Sequence, residues 1–241
     1  MKQILLILSL AVLFSCNNES SNEAPKYHKI RIQNANVVIQ YGDSFDYELT
    51  NADPNLQMSY FDKVMQVSGS NSGETDIIIS LPDLDSVGIA SKGKLSFSEG
   101  FTSSAPSLFI SGIDDTNIYA ESEFNIDTLY LDISSSSQLS FHQLKAEKLA
   151  IDVTSNGNAN IEGMATYQQI RAFNGGHFNM QASEEGWKVE NPVIGNTVYA
   201  YVGSGGTAWV QATDYLESTN GNVYYKGEPK EIKGIVENKE E

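Results

Sequence analysis

One short frame recurs seven times in this chain: apolar, any, apolar, three residues of the Ser, Asn or Gly kind, one spacer, then apolar, any, apolar. Its clearest copies are Ile151-Asp152-Val153-Thr154-Ser155-Asn156-Gly157-Asn158-Ala159-Asn160-Ile161 and Ser218-Thr219-Asn220-Gly221-Asn222-Val223-Tyr224-Tyr225. Aligned on Gly157, the copies place Gly93, Asp114, Ser137, Gly157, Gly176, Gly206 and Gly221 in one column. A unit of about 20 residues cannot bury its own apolar face, so it is stable only when stacked on its neighbours. The chain is therefore constrained towards a solenoid.

The apolar positions of each copy stand two apart, which puts them on one face of a strand. Three inward columns follow. The first holds Val87, Leu108, Leu131, Ile151, Ile170 and Ala200; the second holds Ile89, Ile110, Ile133, Val153, Ala172 and Val202. The third holds Phe97, Ile118, Phe141, Ile161, Met180, Val210 and Tyr225. Strands stacked about 4.8 Å apart would turn each column into a continuous apolar ladder. Gly and Asn at the corners accept positive φ at least cost. The interval from Gly176 to Gly206 is longer than the others and contains Glu184-Glu185-Gly186-Trp187 and Asn191-Pro192, which predicts an inserted loop.

Before residue 87 the pattern is plain alternation (Ile30, Ile32; Val37, Ile39; Phe45, Tyr47, Leu49; Val64, Val67; Ile77, Ile79, Leu81) broken by Gly42-Asp43 and Asp53-Pro54-Asn55. Period-two runs between turn residues predict antiparallel hairpins. The expected fold is all-β: an antiparallel cap over 27–86 and a parallel β-helix of about seven rungs over 87–227.

The ends carry their own signals. Met1-Lys2-Gln3, a mostly apolar run over 4–14 and Ser15-Cys16 describe an export leader over 1–15, too short to span a bilayer. Leu13-Phe14-Ser15-Cys16 is similar to the lipobox of bacterial lipoproteins, and Cys16 is the single cysteine of the chain. A lone exported cysteine has no internal disulfide partner, so lipidation at Cys16 is expected. Residues 16–26 then form a polar tether between the membrane and a folded unit over 27–233, with an acidic tail over 234–241. With 31 acidic against 15 basic residues and a net charge of −16, the chain is repelled by phosphate backbones, which excludes nucleic acid as a partner class.

Little chemistry is legible. His28, His142 and His177 are dispersed and have no cysteine partners at metal-ligand spacing, so no metal or other cofactor is expected. Asp132 and Asp152 fall in one outward column, a pair that could act as acid and base. Arg171 follows in the same column, which makes a salt ladder the simpler reading. Outward aromatics remain: Trp209 and Tyr224 in a column with Asn160 and Asn179, and Tyr201 one strand away. Aromatic faces beside amides suit sugar rings or a protein partner.

Four stretches resemble the auto-transporter adhesin, head GIN domain family of bacteria. They are Ile30-Arg31-Ile32 with Val37-Val38-Ile39-Gln40-Tyr41-Gly42, the strand end Ile77-Ile78-Ile79-Ser80-Leu81-Pro82-Asp83-Leu84, the Ser/Asn-Gly corners, and Asn220-Gly221-Asn222-Val223-Tyr224-Tyr225-Lys226-Gly227-Glu228-Pro229. Ser134-Ser135-Ser136-Ser137 and Gly112-Ile113-Asp114 depart from the Gly-Ser-Gly corners of that family. The resemblance implies a right-handed β-helix on an exported, lipid-anchored outer-membrane protein. It implies adhesion and brings no catalytic residue. The expected function is thus a non-enzymatic envelope lipoprotein that binds a glycan or protein through Tyr201, Trp209 and Tyr224. A polysaccharide-acting enzyme and a homo-oligomerising structural subunit are the alternatives.

Overall fold

The computed structural model describes residues 28–50, 54–70, 74–183, 186–188 and 191–238. The leader, Cys16 and the tether lie outside the described residues.

The chain opens with β1 (Lys29–Gln33), β2 (Asn36–Tyr41), β3 (Asp46–Leu49), β4 (Gln57–Phe61), β5 (Val64–Ser68) and β6 (Ile77–Leu81). It continues through β7 (Ser86–Ala90), β8 (Lys94–Phe97) and β9 (Ser107–Ile113) into three long strands, β10 (Asn117–Ile133), β11 (Gln138–Val153) and β12 (Asn158–Ala172). There follow β13 (His177–Phe178), a hairpin of β14 (Gln181–Ser183) and β15 (Gly186–Lys188), and β16 (Ile194–Val202). The chain closes with β17 (Thr207–Thr219), β18 (Asn222–Lys226), β19 (Glu231–Lys233) and β20 (Glu237–Asn238). The protein is all-β, with no helix among the described residues. The β14–β15 hairpin occupies the interval where the loop was expected.

Two ladders organise these strands. One runs β4–β5–β1–β7–β9–β10–β11–β12–β16–β17–β19. The other runs β3–β6–β2–β8–β10–β11–β12–β13–β17–β18–β20. The long strands belong to both ladders. Register shifts between Ala120 and Glu123 in β10, and between Phe141 and Leu144 in β11, bend them from one side to the next.

The antiparallel arrangement expected over 27–86 is correct only for β3 and β4. The β1, β2, β5 and β6 strands take parallel neighbours, and the β1–β2 pass lies between the β5–β6 pass and the β7–β8 pass. Alternation reports which face of a strand is buried, not which way its neighbour runs, so the sequence pattern was silent on direction. The antiparallel β4 and β3 are the outermost strands of the two ladders, one on each.

The inward columns hold with one slip. Val87 pairs with Ile110 and Ile110 with Leu131, so Leu108 belongs with Leu129; likewise Phe97 pairs with Ala120, so Ile118 belongs with Leu95 and Leu139. Thr116, not Asp114, therefore corresponds to Ser137. The slip is two residues, an even number, and leaves every named side chain on the buried face. At the centre Phe124 sits 5.0 Å from Phe97, 5.3 Å from Phe101 and 4.9 Å from Phe141, ring centroid to centroid.

The corners do adopt positive φ, as expected. It falls on the two residues before the aligned column at Asp114-Asp115, Ser135-Ser136, Ser155-Asn156, Asn174-Gly175 and Ser204-Gly205, and on Asn220 and the column residue Gly221 at the last corner. Successive left-handed residues make the tight primed turn, and short polar side chains tolerate it. Gly157, Gly176 and Gly206 in the column serve another purpose. A Cβ on Gly157 would stand 2.5 Å from the Ile133 carbonyl oxygen, and one on Gly206 would stand 2.2 Å from that of Ala172. They are glycines because the previous pass leaves no room for a side chain.

Candidate functional site

On the first ladder the outward residues alternate with the core and line up by register. One outward column reads Gln66, Arg31, Gly88, Ser111, Asp132, Asp152, Arg171 and Tyr201. Beside it stand Phe109, Tyr130, Ala150, Gln169 and Tyr199, and beyond those Thr128, Lys148, Tyr167, Thr197 and Tyr215.

Aromatic rings cross these columns obliquely. Lys148 Nζ lies 5.6 Å from the Tyr130 ring centroid and 5.7 Å from that of Tyr167, bridging two tyrosines by cation–π attraction. Tyr167 is 5.5 Å from Tyr199, and Tyr199 is 5.6 Å from Tyr215. Lys233 Nζ covers the far ring, 5.1 Å from the Tyr215 centroid. Burial, followed by the neighbouring Tyr199 and Tyr201, pushes the Tyr167 phenol above its ordinary pKa. The Tyr215 hydroxyl donates to Glu217, the main cause of its own upward shift. Both phenols therefore stay protonated at neutral pH, as donors on a face whose rings are partly open. Phe109, Tyr130 and Tyr167 are 42%, 38% and 36% exposed, so the run leaves ring surface open to solvent.

Next to this run is a shallow depression of about 240 Å³ lined by Phe109, Tyr130, Asp132, Asp152, Gln169 and Arg171. Arg171 Nη1 donates to Asp152 Oδ2 at 3.2 Å, the salt ladder read from the sequence. Asp132 lacks that partner. Burial, and secondarily the Asp152 charge, raises its pKa. The depression thus combines ring edges with a carboxylate pair, a guanidinium and a carboxamide, the groups that hold a polyhydroxylated ligand.

Of the residues anticipated for a site, Tyr201 lies on this face, paired with Arg171. Trp209 and Tyr224 do not. They face outward on the other ladder and stack on one another, centroids 5.2 Å apart and half-buried. Asn160 is half-buried in the column of Ser140. Asn179 is buried: its left-handed backbone turns the side chain in, and Oδ1 accepts the Ile161 N–H at 2.6 Å, in place of a strand carbonyl. Tyr130, Lys148, Tyr167, Tyr199 and Tyr215 were missed because the run crosses back and forth between two neighbouring outward columns. Only the lateral spacing of adjacent strands shows that they touch. His28 pairs with Asp83 at 3.2 Å and His177 pairs by register with Asn158. Among the described residues no three metal-ligating side chains cluster, and no helix is long and apolar enough to cross a membrane.

Residues 27–229 match the family described as "Putative auto-transporter adhesin, head GIN domain". No curated protein matches the sequence. Among solved structures, a "putative adhesin" from Parabacteroides distasonis ATCC 8503 superposes with a TM-score of 0.70 at 16% identity, over 90% of this chain and 91% of that one. A "putative adhesin" from Parabacteroides merdae ATCC 43184 gives 0.66 at 17% identity, over 88% and 89%. A "Putative lipid binding protein" from P. distasonis gives 0.70 at 15% identity, over 90% and 94%. At these identities the likeness is one of fold.

Proposed function

We propose, from the premise that the chain belongs to the auto-transporter adhesin, head GIN domain family, that it is a non-catalytic binding protein of the cell envelope whose tyrosine face holds a glycan. In this reading the stacked passes form a right-handed parallel β-helix of about seven rungs closed by the N-terminal strands. The chain is lipidated at Cys16 and held at the outer membrane by the tether over 16–26. The solved relatives described as adhesins and as a lipid binding protein support a ligand-binding role over a catalytic one.

The observation that carries the proposal is the continuous run from Tyr130 through Lys148, Tyr167 and Tyr199 to Tyr215, flanked by Asp132, Asp152 and Arg171. Rings offer flat apolar contact to the C–H faces of a sugar, and the adjoining carboxylates and guanidinium take its hydroxyls. A glycan array probed with the full chain tests it. The Tyr130→Ser, Tyr167→Ser double variant should lose the bound sugars, and wild-type binding by that variant would remove the tyrosine face as the site.

Cleavage of a polysaccharide by Asp132 and Asp152 is the second reading, favoured by the raised pKa of Asp132. Arg171 occupies Asp152, the carboxylate that would have to act as base or nucleophile, which weighs towards binding. Loss of an oligosaccharide-cleaving activity in Asp132→Asn would reverse that preference.

A further inference from the structure

The chain has two arginines, Arg31 and Arg171, and both stand in the same outward column of the first ladder. They are treated oppositely. Arg171 is tied to Asp152. Among the described residues the Arg31 guanidinium has neither an ion pair nor a hydrogen bond.

Arg31 overlooks a groove of about 680 Å³, within the size range of small-ligand sites. Gln57 and Gln66 stand on its outer-strand side, and Gly88 and Ser111 form the floor on the next two strands. Gly88 is what keeps the floor low. A Cβ there would point at Ser111 Oγ, 3.0 Å away, and fill the space in front of the guanidinium. No aspartate or glutamate lines the groove, in a chain that carries 31 of them. An arginine kept clear of carboxylates, beside amides and a hydroxyl, presents its planar fork of donors to an incoming acid.

We infer that this groove is a binding site for a carboxylate-bearing sugar of the uronic-acid kind. Arg31 takes the carboxylate in bidentate fashion, while Gln57, Gln66 and Ser111 exchange hydrogen bonds with the ring hydroxyls. A sugar fits better than an acidic peptide for a backbone reason. The β1 strand is paired on both sides, with β5 and β7, and β7 is paired with β1 and β9. The floor therefore has no free edge to which an extended peptide could add as a strand, and β4 in the outer wall pairs with β5 on the side towards Arg31, which leaves its open edge on the far side. Only side chains face the ligand, and carboxamides and hydroxyls both donate and accept, which is the complement of a polyol. The site lies up the same column from the tyrosine face and stands independently of it.

Titration calorimetry of the full chain with trigalacturonate, its neutral galactose trimer and an aspartate-rich peptide tests the assignment. Trigalacturonate should bind at least tenfold more tightly than the neutral trimer or the peptide. Arg31→Gln should lose about tenfold or more of that affinity, the loss of one charged hydrogen-bonded contact. Gln66→Glu, at an exposed position, should lose as much by placing a carboxylate beside Arg31. Unchanged affinity in Arg31→Gln, or equal affinity for the neutral trimer, overturns the site. Equal or tighter binding of the peptide overturns the sugar assignment. The Tyr130→Ser, Tyr167→Ser variant should keep its trigalacturonate affinity, so failure of the tyrosine face leaves this result standing.

Discussion

A Cβ placed on Gly176 would lie 2.0 Å from the carbonyl oxygen of Val153, one pass earlier in the stack. That oxygen is held in the ladder by the Phe173 N–H at 3.0 Å, so it cannot move aside cheaply. Gly176→Ala should cost on the order of 3 kcal/mol in urea unfolding, the upper range for overpacking. Gly205 provides the contrast. It has φ of +77° but no heavy atom closer than 4.0 Å to a built Cβ. Gly205→Ala should cost only about 1–2 kcal/mol, the strain of one left-handed residue.

Phe124 contacts Phe97, Phe101 and Phe141 and is 1% exposed. Its removal opens a cavity that neighbours fixed in ladders cannot refill. Phe124→Ala should lower unfolding free energy by about 3–5 kcal/mol, and Phe124→Leu by clearly less.

Asn179 is a side chain doing a backbone's task, since Oδ1 accepts the Ile161 N–H. Its φ of 55° is one that glycine adopts freely. Asn179→Gly therefore removes the acceptor without adding strain, and should cost about 1–3 kcal/mol by leaving a buried donor unpaired. Amide exchange at Ile161 should quicken in the same variant.

Asp132 has a folded-state pKa raised by burial and by Asp152. A carboxyl group raised in this way favours the folded state when protonated. Its contribution is present below the unfolded value of about 3.9 and is lost as pH rises through the folded value. Asp132→Asn should then be slightly more stable than wild type at neutral pH, with the advantage gone below about pH 4. Thermal melts across that range check the sign.

The repeat made the buried half of the molecule legible. Ile151, Ile170 and Ala200 align in the structure as they align in the sequence, because a period of two and a fixed corner leave one register. The slip at Leu108 and Ile118 arose where Gly112-Ile113-Asp114-Asp115 imitates the frame two residues early. Strand direction before residue 87 was not legible, since Ile30 and Ile77 alternate identically whether their neighbours run parallel or antiparallel. Nor was the tyrosine run. Tyr167 and Tyr199 are not register partners, and their contact depends on the width of a strand pair and the lean of two rings.

The stacked columns separate two kinds of information. Towards the core each position repeats from pass to pass, so that Ile133, Val153, Ala172 and Val202 are near-synonyms. Outward, the column of Arg31, Gly88, Ser111, Asp132, Asp152, Arg171 and Tyr201 never repeats a theme for more than two positions. The interior behaves as a frame and the exterior as a line of text set in it. Letters in that line can be exchanged at almost no cost to folding, since exposed substitutions rarely move stability by more than about 0.5 kcal/mol. A lineage carrying this scaffold can thus rewrite what it recognises without redesigning what holds it together.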